Sequence, residues 1–360
     1  MTPKAGRPPL PRAEREALDA IYERLVHGDA AAIAELDAFE HRHPDRLETL
    51  RTVAWGLLQV RDWTAGMAPP PLDAAAETVR PDDGAIDIVV CHVALPASPL
   101  VFGGRALRTV LNERDHHARL RLGFDAMRRA APDARRVLIS NPDTMLPDDL
   151  GYDLLVRHRI RPDFVMLDRL RAYRDHLDAM PAGRAAVAFV DSDVIVCRSP
   201  AVAFAAPFSL ALTWRTTPPT MPLNGGAIFA RRTDGARWLF DRMLECFDRI
   251  GGEARIATAC RRIFGATIEG WYGDQMAMAA LAGWRRFERP PPAPRVFGPG
   301  ATLAFLPSDP FNFAVPTQGP HHPAALAARV LVHFKGASKH LAAELVPLIL
   351  AAAGEPPVSP

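Results

Sequence analysis

From Ala85 onward, short apolar runs of strand length alternate along the chain with longer segments of helical periodicity. Alternating strands and helices of these lengths predict an α/β domain whose central sheet is mostly parallel. Ligands of such sheets bind beyond the carboxyl ends of the strands, so residues that directly follow strands are the candidates for a functional site. The predicted strands are residues 86–93, 136–140, 164–167, 187–190, 208–214 and 227–230, and the predicted helices are 106–113, 118–130, 169–180, 235–249 and 275–282.

The part of the chain before this alternation has a different pattern. Leu18, Ile21 and Leu25 recur at helical spacing, residues 31–39 continue as a second helix, and Asp45 can cap a third helix. This helical region could be a packing appendage or a docking surface for an acceptor or another partner. We therefore expect an N-terminal helical region at 1–66, a Pro-rich linker at 67–84, the α/β domain at 85–340, and a C-terminal helix and tail at 341–360.

Charge and cysteine usage exclude several classes of function. The formal net charge is only +2, which argues against binding of nucleic acid through a general basic surface. The first 18 residues are polar and contain no signal-peptide core, and no apolar stretch approaches the roughly 20 residues of a membrane span. The four cysteines form no Cys-x-x-Cys pair, which is typical of a reducing compartment. We expect a cytoplasmic protein whose C-terminal apolar helix packs on the domain or touches the inner face of a membrane.

Two acidic side chains directly follow the predicted strand at residues 187–190. Asp191 and Asp193 are separated only by Ser192. Two carboxylates this close repel each other unless a cation lies between them. A hard divalent ion such as Mg²⁺ or Mn²⁺ takes carboxylate oxygens and retains positions for phosphate oxygens. The motif therefore predicts a divalent metal site at the rim of the sheet, with a solvated turn as the alternative.

Lysine is rare in this chain, and two of the three lysines lie within one seven-residue segment. Of the 43 basic residues, the only lysines are Lys4, Lys335 and Lys339. The segment runs from His333 through Gly336 to Lys339 and follows an apolar, strand-like run. His333 could ligate the same metal, the backbone of Gly336 could approach a phosphate closely, and Lys339 could neutralise a diphosphate. The alternatives are a buried structural histidine and solvent-exposed lysines, for which arginine would have served equally well.

Three further segments carry residue types that are scarce in this chain. Asn224 begins an Asn-Gly-Gly segment with Gly225, which forms either a flexible turn before a strand or a contact with a sugar hydroxyl. Asp274 and Gln275 open a predicted helix, where Asp274 could be the N-cap and Gln275 could point into the same cleft. Asn312 lies in a loop before the His333 segment, where its role could be purely structural.

The order of these features along the chain resembles one known family. They are a strand-end Asp-x-Asp, an Asn-x-Gly turn, an Asp-Gln pair, a Leu-Pro…aromatic-Asn loop and a closing His-x-x-Gly-x-x-Lys. Over about residues 85–340 the chain resembles the retaining glycosyltransferases of family 8, the group of glycogenin and the lipopolysaccharide galactosyltransferases. This resemblance implies the GT-A nucleotide-diphospho-sugar transferase fold, in which helices flank a mostly parallel central sheet. The N-terminal helices lie outside the resemblance.

The resemblance also implies a role for each matching residue. Asp191, Asp193 and His333 would hold Mn²⁺ or Mg²⁺, and Asp274 and Gln275 would lie at the catalytic centre, against the transferred sugar. The residues implied in donor binding share a place near the diphosphate, the base or the sugar. They are Lys339 and the backbone of Gly336 at the diphosphate, Arg174 as the basic donor-binding residue, Ala94 and Asn141 beside the base, Asn224 and Gly225 at the sugar, and Ser192 in the metal motif.

The function implied is metal-dependent transfer of a sugar from a nucleotide sugar, with a UDP-sugar as the first candidate, to an acceptor hydroxyl with retention. The acceptor could be a glycan, a lipid-linked glycan or a protein. One alternative is an inverting GT-A transferase with Asp274 as the general base. A second is a nucleotidyltransferase, which would need residues 96–105 as its phosphate loop, and a third is a non-catalytic protein that binds sugar nucleotides.

Overall fold

The structure, a computed structural model, describes residues 10–44, 46–94, 101–102, 105–106, 113–215, 222–283 and 293–353. The strands within these ranges are β1 (Ile86–Cys91), β2 (Val101–Phe102), β3 (Arg105–Ala106), β4 (Arg135–Ser140), β5 (Leu154–Arg157), β6 (Ala186–Asp191), β7 (Val194–Val196), β8 (Leu210–Trp214), β9 (Leu223–Arg231), β10 (Arg295–Gly298), β11 (Ala301–Pro307), β12 (Phe313–Ala314) and β13 (Leu331–His333). The helices are α1 (Arg12–Val26), α2 (Ala32–Arg42), α3 (Leu47–Val60), α4 (Glu113–Ala130), α5 (Val165–Ala179), α6 (Asp234–Gly251), α7 (Ala254–Phe264), α8 (Gly273–Ala282), α9 (Ser308–Phe311), α10 (Pro323–Ala327) and α11 (Ala342–Ala353).

An eight-stranded sheet in the order β10-β11-β8-β9-β6-β1-β4-β5 forms the centre of the protein. The pairs β1–β4, β1–β6, β4–β5 and β8–β11 are parallel. Because β9 is antiparallel to both β6 and β8, only β9 and the edge strand β10 run against the other six. The predicted α/β class with a mostly parallel sheet is therefore confirmed.

Helices cover both faces of this sheet, which explains why its strands read as continuous apolar runs. In β6, Val187 and Phe189 join one hydrophobic cluster, and Ala186, Ala188 and Val190 join a second cluster on the other face. The first cluster includes side chains of α5 to α8, and the second includes side chains of α4. The faces of the sheet are therefore buried, and the ends of its strands are left for polar chemistry.

The three N-terminal helices share the core of the sheet. Buried residues of α1 to α3, among them Leu25, Phe39 and Leu57, belong to the same hydrophobic cluster as α6 to α8. The linker that follows is anchored as well, because the buried Glu77 carboxylate accepts hydrogen bonds from the backbone N–H and hydroxyl of Thr302, both at 3.0 Å. The division of the chain into domains stays a prediction.

Two predicted elements differ from the structure. Residues 164–167 are not a strand, because Pro162 opens a short 3₁₀ turn that leads directly into α5, and Val165, Leu167 and Leu170 are buried along that helix. The helix predicted at 106–113 has Ala106 in β3, and residues 107–112 lie outside the described residues. Conversely, β5, β10 and β11 were not predicted, since they are short, partly exposed or flanked by glycine and proline.

The C-terminal helix α11 packs on the domain through its apolar face. Leu345, Val346 and Ile349 are buried in a third cluster with residues of α4 and α10, whereas Leu348 is half exposed. Among the described residues, no helix combines the length and the apolar character that crossing a membrane requires. The four cysteines are unpaired.

Candidate metal and donor site

Strand pairing brings the Asp-x-Asp motif and the His333 segment together. Asp191 ends β6 in the large sheet, and the chain turns at once into β7, which pairs antiparallel with β13 in a small second sheet. The backbone N–H of Phe334 donates to the carbonyl of Asp193 at 2.8 Å, which closes this junction. One ligand atom from each of Asp191, Asp193 and His333 lies within 4.8 Å of the others.

The His333 imidazole is held on both nitrogens. Its Nε2 lies 3.1 Å from Oδ1 of Asp193, and its Nδ1 lies 2.9 Å from Oδ1 of Asn312. The ring is buried against the backbone of β9, since a Cβ added to Gly226 would lie 2.5 Å from Cε1 of His333. The imidazole is therefore fixed in one orientation, facing the two aspartates.

The two C-terminal lysines lie at the same place. Nζ of Lys339 is 2.8 Å from Oδ2 of Asp193. Burial and the neighbouring Arg215 guanidinium lower the pKa of Lys335 to about 8, although Asp193 attracts its charge. Gly336 between them has φ +58°, and no atom lies within 4 Å of where its Cβ would be. An anion can therefore approach the backbone there beside positive charge.

Arg169, which the sequence did not single out, is the buried cation of the site. From α5 its guanidinium pairs with Asp191 and with Asp274, and its side chain is 12% exposed. The predicted donor-binding residue Arg174 lies elsewhere, because five residues along a helix point in a different direction. Its guanidinium pairs with Asp178 on α5 and with Asp241 on α6, at 2.8 Å from the latter. Of these two arginines of α5, Arg169 therefore lies against the aspartates of the site and Arg174 does not.

Asp274 and Gln275 lie in the first turn of α8. The helix begins at Gly273, and the residue before it, Tyr272, adopts a left-handed conformation with φ +65°. Asp274 is therefore not the N-cap. It is 1% exposed, pairs with Arg169, and accepts a hydrogen bond from the backbone N–H of Gln275 at 2.8 Å. Oε1 of Gln275 is buried and accepts no hydrogen bond from the part of the chain that the structure describes.

The Asn-Gly-Gly segment lies inside β9 and does not form the predicted turn. Oδ1 of Asn224 accepts a hydrogen bond from the backbone N–H of Gly226 at 2.8 Å. A Cβ on Gly225 would lie 2.8 Å from Oδ2 of Asp274. The two glycines thus allow the Asp274 carboxylate and the His333 ring to lie directly against the strand.

The remaining predicted donor-binding residues lie at the ends of neighbouring strands. Ala94, beyond the end of β1, is exposed, and its backbone N–H lies 3.3 Å from Oγ1 of Thr144. Asn141 follows β4, but its Oδ1 accepts a hydrogen bond from the backbone N–H of Ile160 at 3.2 Å. Ser192 is half-buried between the two aspartates. Asn141 is thus engaged in holding a loop, while Ala94 and Ser192 line the rim.

Burial and charge give the two aspartates opposite pKa shifts. Burial and the nearby Asp193 raise the pKa of Asp191, although Arg169 opposes this effect. Burial also disfavours ionisation of Asp193, but His333 and Lys339 outweigh it and lower the pKa of that carboxyl well below its usual range. Two carboxylates and one imidazole form a donor set that suits a divalent metal ion.

Comparison with known proteins gives only distant similarities. No protein-family model matches the chain, and no curated protein matches it. Among solved structures, it is similar to the galactosyltransferase LgtC in complex with donor and acceptor sugar analogues, at 14% identity and a TM-score of 0.41 over 76% of this chain and 97% of that one. It is also similar to the glycosyltransferase GlyE of Streptococcus pneumoniae, at 12% identity and a TM-score of 0.43 over 75% of this chain and 60% of that one. A third is a glycosyltransferase involved in glycosylation of the major capsid of PBCV-1, at 12% identity and a TM-score of 0.38 over 73% of this chain and 99% of that one.

Proposed function

We propose that this protein is a metal-dependent glycosyltransferase that moves a sugar from a nucleotide-sugar donor to an acceptor hydroxyl. A UDP-sugar is the first candidate donor, and a glycan, a lipid-linked glycan or a protein is the acceptor. The proposed location is the cytoplasm, where unpaired cysteines remain reduced. The proposal rests on the chain's own site residues.

One observation carries the proposal. Asp191, Asp193 and His333 converge at the carboxyl end of the interior strand β6, and Lys339 lies in contact with Asp193. These groups come from two distant segments, which strand pairing joins at the carboxyl end of β6. A metal ligand set beside a lysine and an accessible glycine backbone is the arrangement that a metal-bound diphosphate requires.

When bound, Mn²⁺ or Mg²⁺ would supply Lewis-acid stabilisation of the negative charge that develops on the departing diphosphate. Asp191, Asp193 and His333 would hold the ion. Lys339 adds fixed positive charge beside the same phosphates, and the backbone at Gly336 admits them closely. Arg169 forms ion pairs with Asp191 and Asp274, which balance their charge and hold both carboxylates in place.

The surroundings of Asp274 favour retention over inversion. An inverting enzyme needs a carboxylate that can take a proton from the acceptor hydroxyl. Asp274 is almost fully buried and is bonded to Arg169 and to its own helix backbone, so it is poorly placed for that role. The uncommitted Oε1 of Gln275 can instead accept a hydrogen bond from a sugar or acceptor hydroxyl. We therefore propose transfer with retention, with Gln275 lining the reacting sugar.

Two other candidates are separated from this proposal by experiment. A nucleotidyltransferase needs a phosphate loop at residues 96–105, and these residues are mostly outside those the structure describes. A non-catalytic protein that binds sugar nucleotides would use the same metal and diphosphate groups. Measured hydrolysis of a nucleotide sugar separates this candidate from an enzyme.

Calorimetric binding of UDP, with and without Mn²⁺, tests the proposal. We expect wild-type protein to bind UDP in a Mn²⁺-dependent manner, and Asp193→Ala to lose that dependence, because it removes a metal ligand and the partner of Lys339. Asp234→Ala is the matched control, since Asp234 is an exposed aspartate that pairs with Arg237, and it follows the end of β9 that lies beside the first residue of β6, away from Asp191.

The outcome of this titration decides the donor site. If Asp193→Ala retains metal-dependent UDP binding, the assigned site is wrong. If wild-type protein binds no UDP under either condition, a UDP-sugar is not the donor. Positive binding leads to a screen of UDP-sugars for hydrolysis, with the anomer of the released sugar as the test of retention.

A further inference from the structure

A closed set of buried hydrogen bonds lies behind the His333 ring. Nδ1 of His333 lies 2.9 Å from Oδ1 of Asn312, and Nδ2 of Asn312 donates to Oγ1 of Thr213 at 2.8 Å. Oγ1 of Thr213 in turn donates to the backbone carbonyl of Asn224 at 3.0 Å. The side chains of Thr213, Asn312 and His333 are at most 4% exposed. These bonds are therefore shielded from bulk water.

The bond between Thr213 and the carbonyl of Asn224 decides which group donates and which accepts in each of the other bonds. The carbonyl of Asn224 can only accept, so the hydroxyl proton of Thr213 is committed to it. Thr213 must then accept from Asn312, which requires the NH₂ group of that amide to face Thr213. The amide oxygen consequently faces His333, and Nδ1 of the imidazole must carry the proton.

The opposite nitrogen therefore faces the site as an acceptor. In the neutral ring, the lone pair of Nε2 points at Oδ1 of Asp193 across 3.1 Å. Two acceptors at this distance repel each other unless a proton or a cation lies between them. The arrangement behind the ring thus prepares Nε2 as a ligand before any ion arrives.

We propose that Asn312 is a positioning residue that fixes the Nδ1–H tautomer of His333 and directs Nε2 to the metal, with Thr213 setting the orientation of the amide. This inference rests on the metal site of the proposed function. Such outer-shell partners of ligating histidines typically contribute about 10- to 100-fold to metal affinity. The positioning role gives a chemical function to Asn312 of the Leu-Pro…aromatic-Asn loop, which the sequence alone could not assign.

Three variants distinguish positioning from packing. In Asn312→Leu, no acceptor faces Nδ1, and we expect Mn²⁺ affinity to fall about 10- to 100-fold. In Asn312→Asp, one carboxylate oxygen still accepts from Nδ1–H, but Thr213 must redirect its hydroxyl proton to the other oxygen, so affinity should fall less than in Asn312→Leu. In Thr213→Val, Asn312 remains but its amide can turn over, so affinity should fall by an intermediate factor. Loss of the free Mn²⁺ signal in electron paramagnetic resonance measures binding of the metal alone.

The matched control is Gln59→Leu, which removes a buried amide that bonds Tyr22 far from the site and should leave Mn²⁺ affinity unchanged. A cooperative thermal transition verifies that each variant is folded. If Asn312→Leu folds and binds Mn²⁺ like wild type, or if Asn312→Asp loses affinity as Asn312→Leu does, the positioning role is wrong.

A second measurement does not depend on metal binding. Nitrogen-15 spectra of labelled histidine, recorded at a pH where the ring is neutral, report which nitrogen of His333 carries the proton, and His333→Gln assigns the signal. We expect the proton on Nδ1 in wild type and a mixture of tautomers in Asn312→Leu. A proton on Nε2 in wild type contradicts the inference. If wild type shows the Nδ1–H tautomer but binds no Mn²⁺, the metal in the proposed function fails while the tautomer assignment stands.

Discussion

At the scale of single residues, the absence of a side chain at position 226 is what lets the His333 ring reach the aspartates. A Cβ on Gly226 would meet Cε1 and Nδ1 of His333 at 2.5 Å and 2.6 Å, closer than real Cβ contacts come. The backbone around it is an interior strand, which does not shift easily. The histidine must therefore move if a methyl group is added.

We expect Gly226→Ala to weaken Mn²⁺ binding at least 10-fold, because displacement of His333 also breaks its bond to Asn312. Paramagnetic resonance titration measures the affinity. Gly183→Ala is the control, since Gly183 has open space at the Cβ position and should leave the affinity unchanged. Equal Mn²⁺ affinity in both variants would show that His333 is not a ligand.

The choice between Arg169 and Arg174 shows what spacing along the sequence can decide. Both arginines lie on α5, and the motif pattern favoured Arg174 because of its distance from Asp191 along the chain. The structure puts Arg169 on the side of α5 that faces the ends of the strands and Arg174 toward α6. Helix rotation is set by which apolar residues pack on the sheet, and Leu170, Tyr173 and Leu177 are buried together on that helix. The spacing of the apolar residues along α5 could therefore have indicated which arginine faces the ends of the strands.

At the scale of elements, the interface between α3 and α7 joins the N-terminal helices to the segment that leads into Asp274. Trp55 on α3 is 5% exposed, and its ring lies edge-on to Tyr272 at 6.5 Å between centroids. Tyr272 also stacks on Phe264 of α7 at 4.6 Å. At the surface, Arg255 of α7 pairs with Asp37 and Glu40 of α2, so ion pairs also join the N-terminal helices to α7.

The apolar contact should dominate this interface. We expect Trp55→Ala to lower the free energy of unfolding by about 3–5 kcal/mol, because it leaves a cavity in the core. Arg255→Ala should cost less than about 1 kcal/mol, since the pairs are partly exposed and screened by solvent. Urea denaturation of the two variants measures both values. A larger loss for Arg255→Ala than for Trp55→Ala would mean that ion pairs, not packing, hold the N-terminal helices.

Sequence patterns predicted the interior elements better than the edge elements. Strands β1, β4 and β6 are apolar runs because both faces are covered, and α1 to α3 and α6 have regular helical spacing. Strand β5 lies at the edge and is mostly half-buried, so its four residues carry little pattern. The apolar run at 164–167 is too short for periodicity to separate a strand from the first turn of a helix. Pairing between β7 and β13, which assembles the candidate site, joins residues more than 130 positions apart and leaves no local signal.

At the scale of the whole molecule, α5 connects the two ends of the sheet. Its Arg169 reaches the carboxyl end of β6, and its His176 reaches the start of β1, where Nε2 lies 3.0 Å from Oδ2 of Asp87. Asp87 is fully buried and also accepts a hydrogen bond from Nε of Arg135 at 2.9 Å. This buried charge cluster lies far from the candidate site, so its contribution is to stability alone.

The stability of the molecule should therefore depend on pH through Asp87. Burial disfavours its ionisation, but the bonds to His176 and Arg135 outweigh burial and lower its pKa below the ordinary value of 3.8. A carboxyl whose pKa is lower in the folded state stabilises the fold above its unfolded pKa, and this contribution is lost as the pH falls toward the folded pKa. We expect Asp87→Asn to lower the free energy of unfolding at pH 7 by about 3 kcal/mol, because it leaves the Arg135 guanidinium without its counter-charge. Urea denaturation at pH 7, 5 and 3 should show this difference persisting at pH 5 and shrinking at pH 3.

Asp149→Asn, an exposed control, should have the same free energy of unfolding as wild type at pH 7 and 5. A difference that stays constant down to pH 3 would mean that Asp87 acts through packing and not through its charge.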